Sequence, residues 1–317
     1  MLQMSWNIRI GDFRLGLLDS VKIHRSVDLL ADTAEITLPS TALNKTLDVE
    51  SRLKRGDLVT VQLGYDGELK DEFSGYLQEI TVNGGNIVLK CEDELFLFRK
   101  PLPDKELKKI KLDALLKHIV QQIGLSLDVK CSYEFVYDKY VISQATGFDV
   151  LKKIQEETKA NVYVKEGTLH LHPAYEEVFG KAVYDFAENV EKDGLTYKKA
   201  DEQKVEVEVE GITKDGQQVK VQVGTPGGDR RTVKVYGVTD TAVLKKRGEE
   251  EMKRLVYDGY EGDLTGWLMP YCDAGYAAEV RDGEYPCKNG TYYVTAVSTE
   301  FSQNGGSRKV QLGRKLN

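Results

Sequence analysis

The sequence has few of the residues that build metal and redox sites. Its 317 residues include four histidines and four cysteines. None of the cysteines belongs to a Cys-x-x-Cys pair, which argues against a zinc ribbon or a dithiol redox motif. We expect Cys91, Cys131, Cys272 and Cys287 to be reduced thiols in or near the core, and we expect no cofactor.

Long apolar runs and an excess of basic residues are also missing. No run approaches the ~20 apolar residues that cross a bilayer, so we expect no membrane insertion. The N-terminus has no basic region ahead of an apolar core, so we expect no signal peptide and synthesis in the cytoplasm. The net charge of −7 argues against specific DNA binding, because phosphate neutralisation supplies most such affinity. It remains compatible with a surface past which DNA slides.

Motifs of catalysis are lacking as well. The chain contains no Gly-x-Ser-x-Gly elbow and no Cys/His dyad signature. The Gly-rich segment Gly224–Arg231 lacks the Gly-Lys-Ser/Thr ending of a phosphate-binding loop, so we interpret it as a mobile loop whose Arg230 and Arg231 are available to a partner. Carboxylate pairs such as Asp57 and Glu72 occur, but no context singles one out. We therefore assign no catalytic residue and expect a protein that is not an enzyme.

Two histidines have a spacing that metal sites use. His170 and His172 lie two residues apart on a predicted strand and so point to one face. The other histidines, His24 and His118, lie in different predicted elements, and no third ligand accompanies the pair. Because a zinc site needs at least three protein ligands, we interpret the pair as edge-strand histidines. No metal-binding or cofactor-binding residue is assigned.

Most of the chain consists of short alternating segments between turns, which are typical of an antiparallel sandwich or barrel. The pattern dominates residues 6–98 and returns after residue 182. Examples are Trp6–Ile10, Ala34–Leu38, Leu58–Leu63 and Lys204–Glu210. In the last of these, three valines alternate with three glutamates, so we expect Val205, Val207 and Val209 on one face.

Three segments have a helical pattern of apolar residues instead: Ile110–Ile123, Thr146–Lys159 and Thr241–Leu255. The first ends at Gly124, as a helix with a C′ glycine does. The second begins with Thr146 and Asp149, which resemble a capping box. In the third, we expect the apolar residues to pack: Val243, Leu244, Met252 and Leu255. A helical turn is expected within Leu43–Leu53.

The closing hairpin, Tyr292–Leu312, repeats a pattern found in Tyr76–Lys90. In both, Tyr-apolar-x-x-apolar leads to Asn-Gly-Gly and a second strand, with four more residues before the later turn. We interpret the echo as a β-domain present twice. The predicted fold is mainly β: two similar antiparallel barrel or tube-like domains, 1–98 and 178–317, with a central α+β module at 99–177. The second β-domain contains the helix at 241–255.

Segments along nearly the whole chain resemble, in order and spacing, the baseplate hub proteins of phage tails. The family is the late-control D type of contractile-tail hub, which is related to the hub part of type VI secretion spike proteins. The segments are Val21–Pro39 (VKIHRSVDLLADTAEITLP), Lys54–Val61 (KRGDLVTV), Phe73–Leu77 (FSGYL), Thr146–Leu151 (TGFDVL), Val162–Val164 (VYV), Leu169–Leu171 (LHL), Asn289–Val294 (NGTYYV) and Gly305–Arg308 (GGSR).

The resemblance implies a homotrimer whose three chains, with two similar domains each, form a ring of six. Such a ring adapts a threefold spike to a sixfold tail tube. The expected partners are the tail tube protein, a separate spike protein and other baseplate proteins. DNA is expected to pass through the channel without specific binding. The expected location is the tail baseplate of a virion or a prophage-derived particle, assembled in the bacterial cytoplasm, and the net charge predicts an acidic channel.

Two alternatives stay open at this point. A tail-associated peptidoglycan hydrolase would need paired carboxylates in a cleft. A cell-wall carbohydrate-binding protein would use the small α+β module at residues 99–175.

Overall fold

The computed structural model describes residues 3–39, 52–83, 86–134, 136–158, 160–173, 175–212, 218–236 and 239–316. Over these residues the chain is mainly β, with a small α+β part in the middle, which confirms the predicted fold class. Three α-helices lie within the described ranges. None of them is long and apolar enough to cross a membrane. The predicted helical turn lies almost entirely outside the described residues.

Within the described residues, the first part of the chain contains seven strands and then a short 3-10 helix at Glu94–Phe98. The strands are β1 (Met4–Ile10), β2 (Phe13–Arg14), β3 (Ser20–Ser26), β4 (Thr33–Leu38), β5 (Leu58–Tyr65), β6 (Glu68–Asn83) and β7 (Asn86–Glu92). The middle part contains β8 (Lys105–Lys111), α1 (Leu112–Ile123), β9 (Asp128–Cys131), β10 (Val136–Ile142), α2 (Gly147–Thr158), β11 (Ala160–Lys165) and β12 (Thr168–Pro173).

The last part begins with β13 (Lys181–Asp185), β14 (Val190–Asp193) and β15 (Thr196–Lys198). An insertion follows, which contains β16 (Val205–Ile212), β17 (Gln218–Gly224), β18 (Asp229–Tyr236) and α3 (Thr241–Leu255). The chain then returns through β19 (Gly259–Trp267), β20 (Ala277–Arg281), β21 (Gly290–Ser302) and β22 (Gly305–Lys315).

One strand order occurs twice in the large sheet. In the first repeat the neighbours are β1-β5-β6-β7-β4-β3, and in the second they are β13-β20-β21-β22-β19-β14. The strands that hold equivalent positions in the two repeats also follow one another in the same order along the chain. Neighbours are antiparallel throughout, except that β13 runs parallel to β20. The hairpins β6–β7 and β21–β22, whose sequences echo each other, therefore occupy equivalent positions.

The two repeats join into one continuous sheet through β3 and β21. These strands pair antiparallel, from Ser20 opposite Ser302 to Ser26 opposite Ala296. The first apolar core accordingly includes side chains from both ends of the chain, such as Ile8, Leu89 and Phe301. The division at residues 98 and 178 stays a prediction.

The middle part has its own core beneath α1 and α2. Helix α1 begins at Leu112, two residues later than predicted, because Ile110 belongs to β8 and pairs with Tyr137 of β10. The helix ends at Gly124, which has a φ of +76°. At the start of α2 the predicted capping box is confirmed: the Asp149 N–H donates to Thr146 Oγ1 at 3.2 Å, and the Thr146 N–H donates to Asp149 Oδ2 at 2.9 Å.

The insertion after β15 is a three-stranded sheet covered by α3. Its core confirms the predicted valine face of β16, with Val207 and Val209 fully buried. Leu244, Met252 and Leu255 of α3 pack there as predicted. The expectation for Val243 was wrong, because its side chain is 50% exposed. Val243 lies one position before Leu244, on the solvent side of the helix.

Gly75 of β6 lies where that strand passes closely over the end of β7. A Cβ at this position would lie 2.1 Å from the carbonyl oxygen of Glu92. We predict that Gly75→Ala lowers the free energy of unfolding by about 1–3 kcal/mol, because the backbone must move to accommodate the methyl group. Gly16→Ala is the control, since nothing lies within 4 Å of its Cβ. Equal midpoints of urea denaturation for the two variants would contradict the prediction.

Candidate functional site: a buried ion cluster at the junction of the two repeats

Charged side chains occupy core positions where the two repeats meet. On β3, Arg25 shares a face with the buried Val21 and Ile23, and on β22 Arg308 shares a face with Val310. The alternation of these strands therefore directs both guanidinium groups inward. Arg308 is fully buried and Arg25 is 6% exposed.

Glu72 of β6 binds both arginines. Its Oε1 lies 2.6 Å from Arg308 Nη2, and its Oε2 lies 3.2 Å from Arg308 Nη1 and 3.2 Å from Arg25 Nη2. The side chains of Glu72 and Arg308 are each 1% exposed. This paired geometry places both Arg308 bonds to the carboxylate in a water-excluded site.

The segment between β19 and β20 completes the cluster. Asp273 Oδ2 accepts a bond from Arg25 Nη1 at 2.9 Å, and Arg308 donates to the carbonyl oxygens of Leu268 and Cys272. The Tyr271 ring lies beneath Arg308, with 5.0 Å between the guanidinium carbon and the ring centroid. We call Arg25, Glu72, Asp273 and Arg308 the central ion cluster.

The positive and negative charges of this cluster balance. Burial acts to lower the pKa of Arg25, but Asp273, Tyr271 and Glu72 outweigh it, so that pKa lies above its usual range. Burial raises the pKa of Tyr271 to about 12. Because the Glu72 oxygens are both held by guanidinium groups, the cluster is suited to fixing the junction and not to proton transfer.

Two further carboxyl groups, those of Asp32 and Asp93, lie beside the central ion cluster, where β7 ends. The Asp32 N–H donates to Asp93 Oδ2 at 2.9 Å, and the Ser26 N–H donates to Asp32 Oδ1 at 3.1 Å. Asp93 also caps the 3-10 helix through the Leu95 N–H. Burial raises the pKa of Asp93 to about 7. Burial and the nearby Asp93 and Asp273 raise the pKa of Asp32 well above its ordinary value.

A cleft of about 420 Å³ opens over these carboxylates. Its walls come from both β repeats and from the central module. They include Arg25, Asp32, Asp93, Tyr163, Phe179 and Asp273. Among the described residues, no group of three or more histidine, cysteine or acidic side chains is arranged to hold a metal ion.

The raised pKa values predict a pH-dependent stability. In the folded state Asp32 and Asp93 keep protons that the unfolded chain releases near pH 4. The contribution of Asp93 to the free energy of unfolding is therefore fully present below pH 4 and is lost as the pH rises through about 7. The contribution of Asp32 is likewise lost as the pH rises through its own raised pKa. Asp32→Asn removes one carboxyl group and keeps an acceptor for the Ser26 N–H. As the pH rises above 4, we expect the free energy of unfolding of the variant to rise relative to that of the wild type, by up to about 1 kcal/mol per pH unit.

Urea denaturation at several pH values measures this difference. Asp71→Asn, which alters an exposed aspartate on β6, is the control. A wild-type advantage over Asp32→Asn that stays constant from pH 4 to 7 would contradict the assignment.

Asp57 and Glu72, the example of a carboxylate pair in the sequence, bind different partners. Glu72 belongs to the central ion cluster, whereas Asp57 accepts a bond from the Lys54 N–H at 2.8 Å. The Gly-rich segment forms the turn between β17 and β18. Arg230 there lies 3.4 Å from Glu206 in an ion pair.

His170 and His172 lie on a central strand and not on an edge strand. Their strand, β12, is the central strand of the sheet β11-β12-β9, so the edge-strand interpretation was wrong. The parallel pairing of β12 with β9 covers the side that was expected to be open. The ring of His170 stacks on Tyr163 at 4.8 Å, and His172 Nδ1 lies 2.9 Å from the Pro173 carbonyl oxygen.

Three of the four cysteines lie in or near cores, as predicted. Cys91 and Cys272 are buried and Cys131 is half-buried. Burial raises the pKa of Cys91 to about 12 and that of Cys272 to about 11. The expectation that Cys287 lies in or near the core was wrong. Cys287 is exposed, because it lies in a short 3-10 helix between β20 and β21.

The central ion cluster was not predicted, although the sequence contained a signal for it. Arg25 and Arg308 each follow the inward face of an alternating strand. A charge at such a position predicts a buried partner. The partner itself is far away in sequence, since Glu72 and Arg308 are 236 residues apart.

No family model matches this chain, and no curated protein matches it. Solved structures do. The 43 kDa tail protein of prophage MuSo2 from Shewanella oneidensis is 14% identical, with 98% of each chain covered and a TM-score of 0.65. A tail protein from Neisseria meningitidis MC58 is 15% identical, with 98% of this chain and 96% of that chain covered and a TM-score of 0.63.

The chain has the fold of phage tail proteins. The same fold extends to secretion machinery. The E. coli c3393 protein, a type VI secretion system component described as structurally similar to the T4 tail proteins gp27 and gp5, is 7% identical. The alignment covers 97% of this chain and 76% of that one, with a TM-score of 0.60. At these identities the likeness concerns the fold alone.

Proposed function

We propose that this chain is a structural component of a phage or phage-like contractile tail, and specifically its baseplate hub. In this role it forms a homotrimer that joins the sixfold tail tube to a threefold spike. The observation that carries the proposal is the strand order that occurs twice in one chain. Three such chains supply six similar β units, which is the number that a sixfold tube needs.

The structural neighbours support the proposal. Two are tail proteins that match over nearly their full length, and a third is likened to T4 gp27 and gp5. The central ion cluster suits such a role, because it ties the two repeats of one chain together by buried bonds between β3, β6 and β22.

The proposed partners are the tail tube protein, a separate spike protein and other baseplate proteins. DNA would pass through the ring without specific binding. The net charge of −7 favours a channel that repels phosphates. The proposed location is the virion baseplate, after assembly in the host cytoplasm.

Native mass spectrometry and co-assembly test this function. We expect a trimer of the purified chain, and a stable complex when it is mixed with the tail tube and spike proteins of the same source. The proposal fails if the chain co-assembles with neither the tail tube protein nor the spike protein.

One observation favours a second function, a tail-associated peptidoglycan hydrolase. Asp32 and Asp93 are carboxyl groups with raised pKa values beside a cleft, as a general acid would be. Both are, however, engaged by backbone N–H groups that fix local turns. Release of muropeptides from purified cell walls by the wild type, and its loss in Asp93→Asn, would place the hydrolase above the structural role.

A further inference from the structure

The repeated strand order leaves a sheet edge unmatched in each repeat. In the second repeat, the end of β21 pairs with β22 on one side and with β3 on the other. The equivalent end of β6, residues 79–83, pairs with β7 and has no other strand partner among the described residues. Likewise β14, the counterpart of β3, pairs only with β19 over the part of the chain that the structure describes.

The last paired residues of each hairpin fix which residues of β6 and β21 correspond. The pairing of β21 with β22 ends with Ser302 opposite Gly305, and the pairing of β6 with β7 ends with Asn83 opposite Asn86. Ser302 therefore corresponds to Asn83. One residue earlier, Phe301 corresponds to Val82.

Rows of paired residues fix the correspondence of β3 and β14. In the first repeat one row across the sheet is Ile80–Leu89–Ile36–Val21. Ile80 lies three residues before Asn83, and Thr299 lies three residues before Ser302. The equivalent row in the second repeat is therefore Thr299–Arg308–Gly266–Val190. Val190 therefore corresponds to Val21.

In the junction between the repeats, Phe301 lies directly opposite Val21. Both side chains are buried, at 2% and 0% exposure. Their counterparts Val82 and Val190 have no such partner among the residues that the structure describes, and Val82 is 60% exposed. An apolar residue on an open strand edge is a site at which another chain pairs.

We propose that β14 of one chain pairs antiparallel with residues 79–83 of β6 in a second copy, with Val190 opposite Val82. The proposal rests on the trimer proposed above and names the strands that join its chains. It reproduces between chains the junction that β3 and β21 make within a chain. Because the two edges differ, the contact is heterologous, and such contacts close into rings when the rotation between copies permits.

Disulfide formation tests the pairing directly. Residues directly opposite each other in antiparallel strands have Cα atoms about 4.5–5.5 Å apart, which suits a disulfide. In a Cys287→Ser background, we expect Val82→Cys combined with Val190→Cys to yield covalent dimers and trimers, and nothing larger, on oxidation. Val141→Cys combined with Val190→Cys is the control, because Val141 is similarly exposed (51%) but lies on β10.

The outcomes separate the pairing from the trimer. A trimer by native mass spectrometry that yields no Val82–Val190 linkage overturns the pairing and leaves the proposed function standing. Equal linkage in the control pair also overturns the pairing. A wild type that forms no trimer overturns the trimer proposal, and the pairing with it.

A charge at the same position gives an independent readout. We expect Val82→Lys to weaken trimer formation at least tenfold, because it places an unpaired ammonium group in the closed junction. Val141→Lys should leave trimer formation unchanged. Native-like circular dichroism of both variants shows that folding is intact, and equal trimer formation by the two would count against the pairing.

Discussion

Replacing Glu72 with glutamine should lower the free energy of unfolding by about 3–5 kcal/mol, because it leaves the buried Arg308 without its counter-charge. Arg308 is fully buried and has its shortest contact, 2.6 Å, with this carboxylate. Arg25 would retain Asp273, so the main loss concerns Arg308. Urea denaturation at one fixed protein concentration measures the change.

Glu79→Gln is the matched control for this prediction. Glu79 lies on the same strand, and its ion pair with Lys90 is exposed on both sides (52% and 45%). Exposed pairs contribute about 0–1 kcal/mol, so little change is expected. If Glu72→Gln were as stable as Glu79→Gln, the cluster would not hold the two repeats together.

Replacing Phe98 with alanine should cost about 3–5 kcal/mol. Phe98 ends the 3-10 helix that follows β7, and its side chain is fully buried in the core of the central module. The backbone of α2 comes close here: a Cβ at Gly147 would lie 3.0 Å from the Phe98 carbonyl oxygen. Because the Phe98 ring is fully buried, its truncation leaves a cavity in the core where the first β repeat connects to the module.

Phe13→Ala is the control for the aromatic truncation, since Phe13 is 38% exposed on the two-residue strand β2. We expect its midpoint of urea denaturation to stay close to that of the wild type. A Phe98→Ala protein with an equally small change would show that this core relaxes around the lost ring.

Local features were predictable from the sequence for local reasons. The Thr146–Asp149 capping box and the Gly124 helix end depend on residues within a single turn of helix. The valine face of β16 follows from strict alternation. The start of α1 was missed because Ile110 fits both a helical stripe and the β8–β10 ladder, and only the ladder partner decides between them.

Long-range pairing was not predictable in the same way. The junction of β3 with β21 joins residues such as His24 and Ser298, which are 274 positions apart. Alternation marks each strand but does not name its neighbour. The repeated hairpin indicated two similar units, whereas the ion cluster that joins them depends on contacts that only the folded chain brings together.

Electron microscopy of the purified chain tests whether three chains close into a ring. We expect closed rings with six similar β units contributed by three chains. Particles that remain single chains, or that form open filaments without closure, would contradict the proposed trimeric hub.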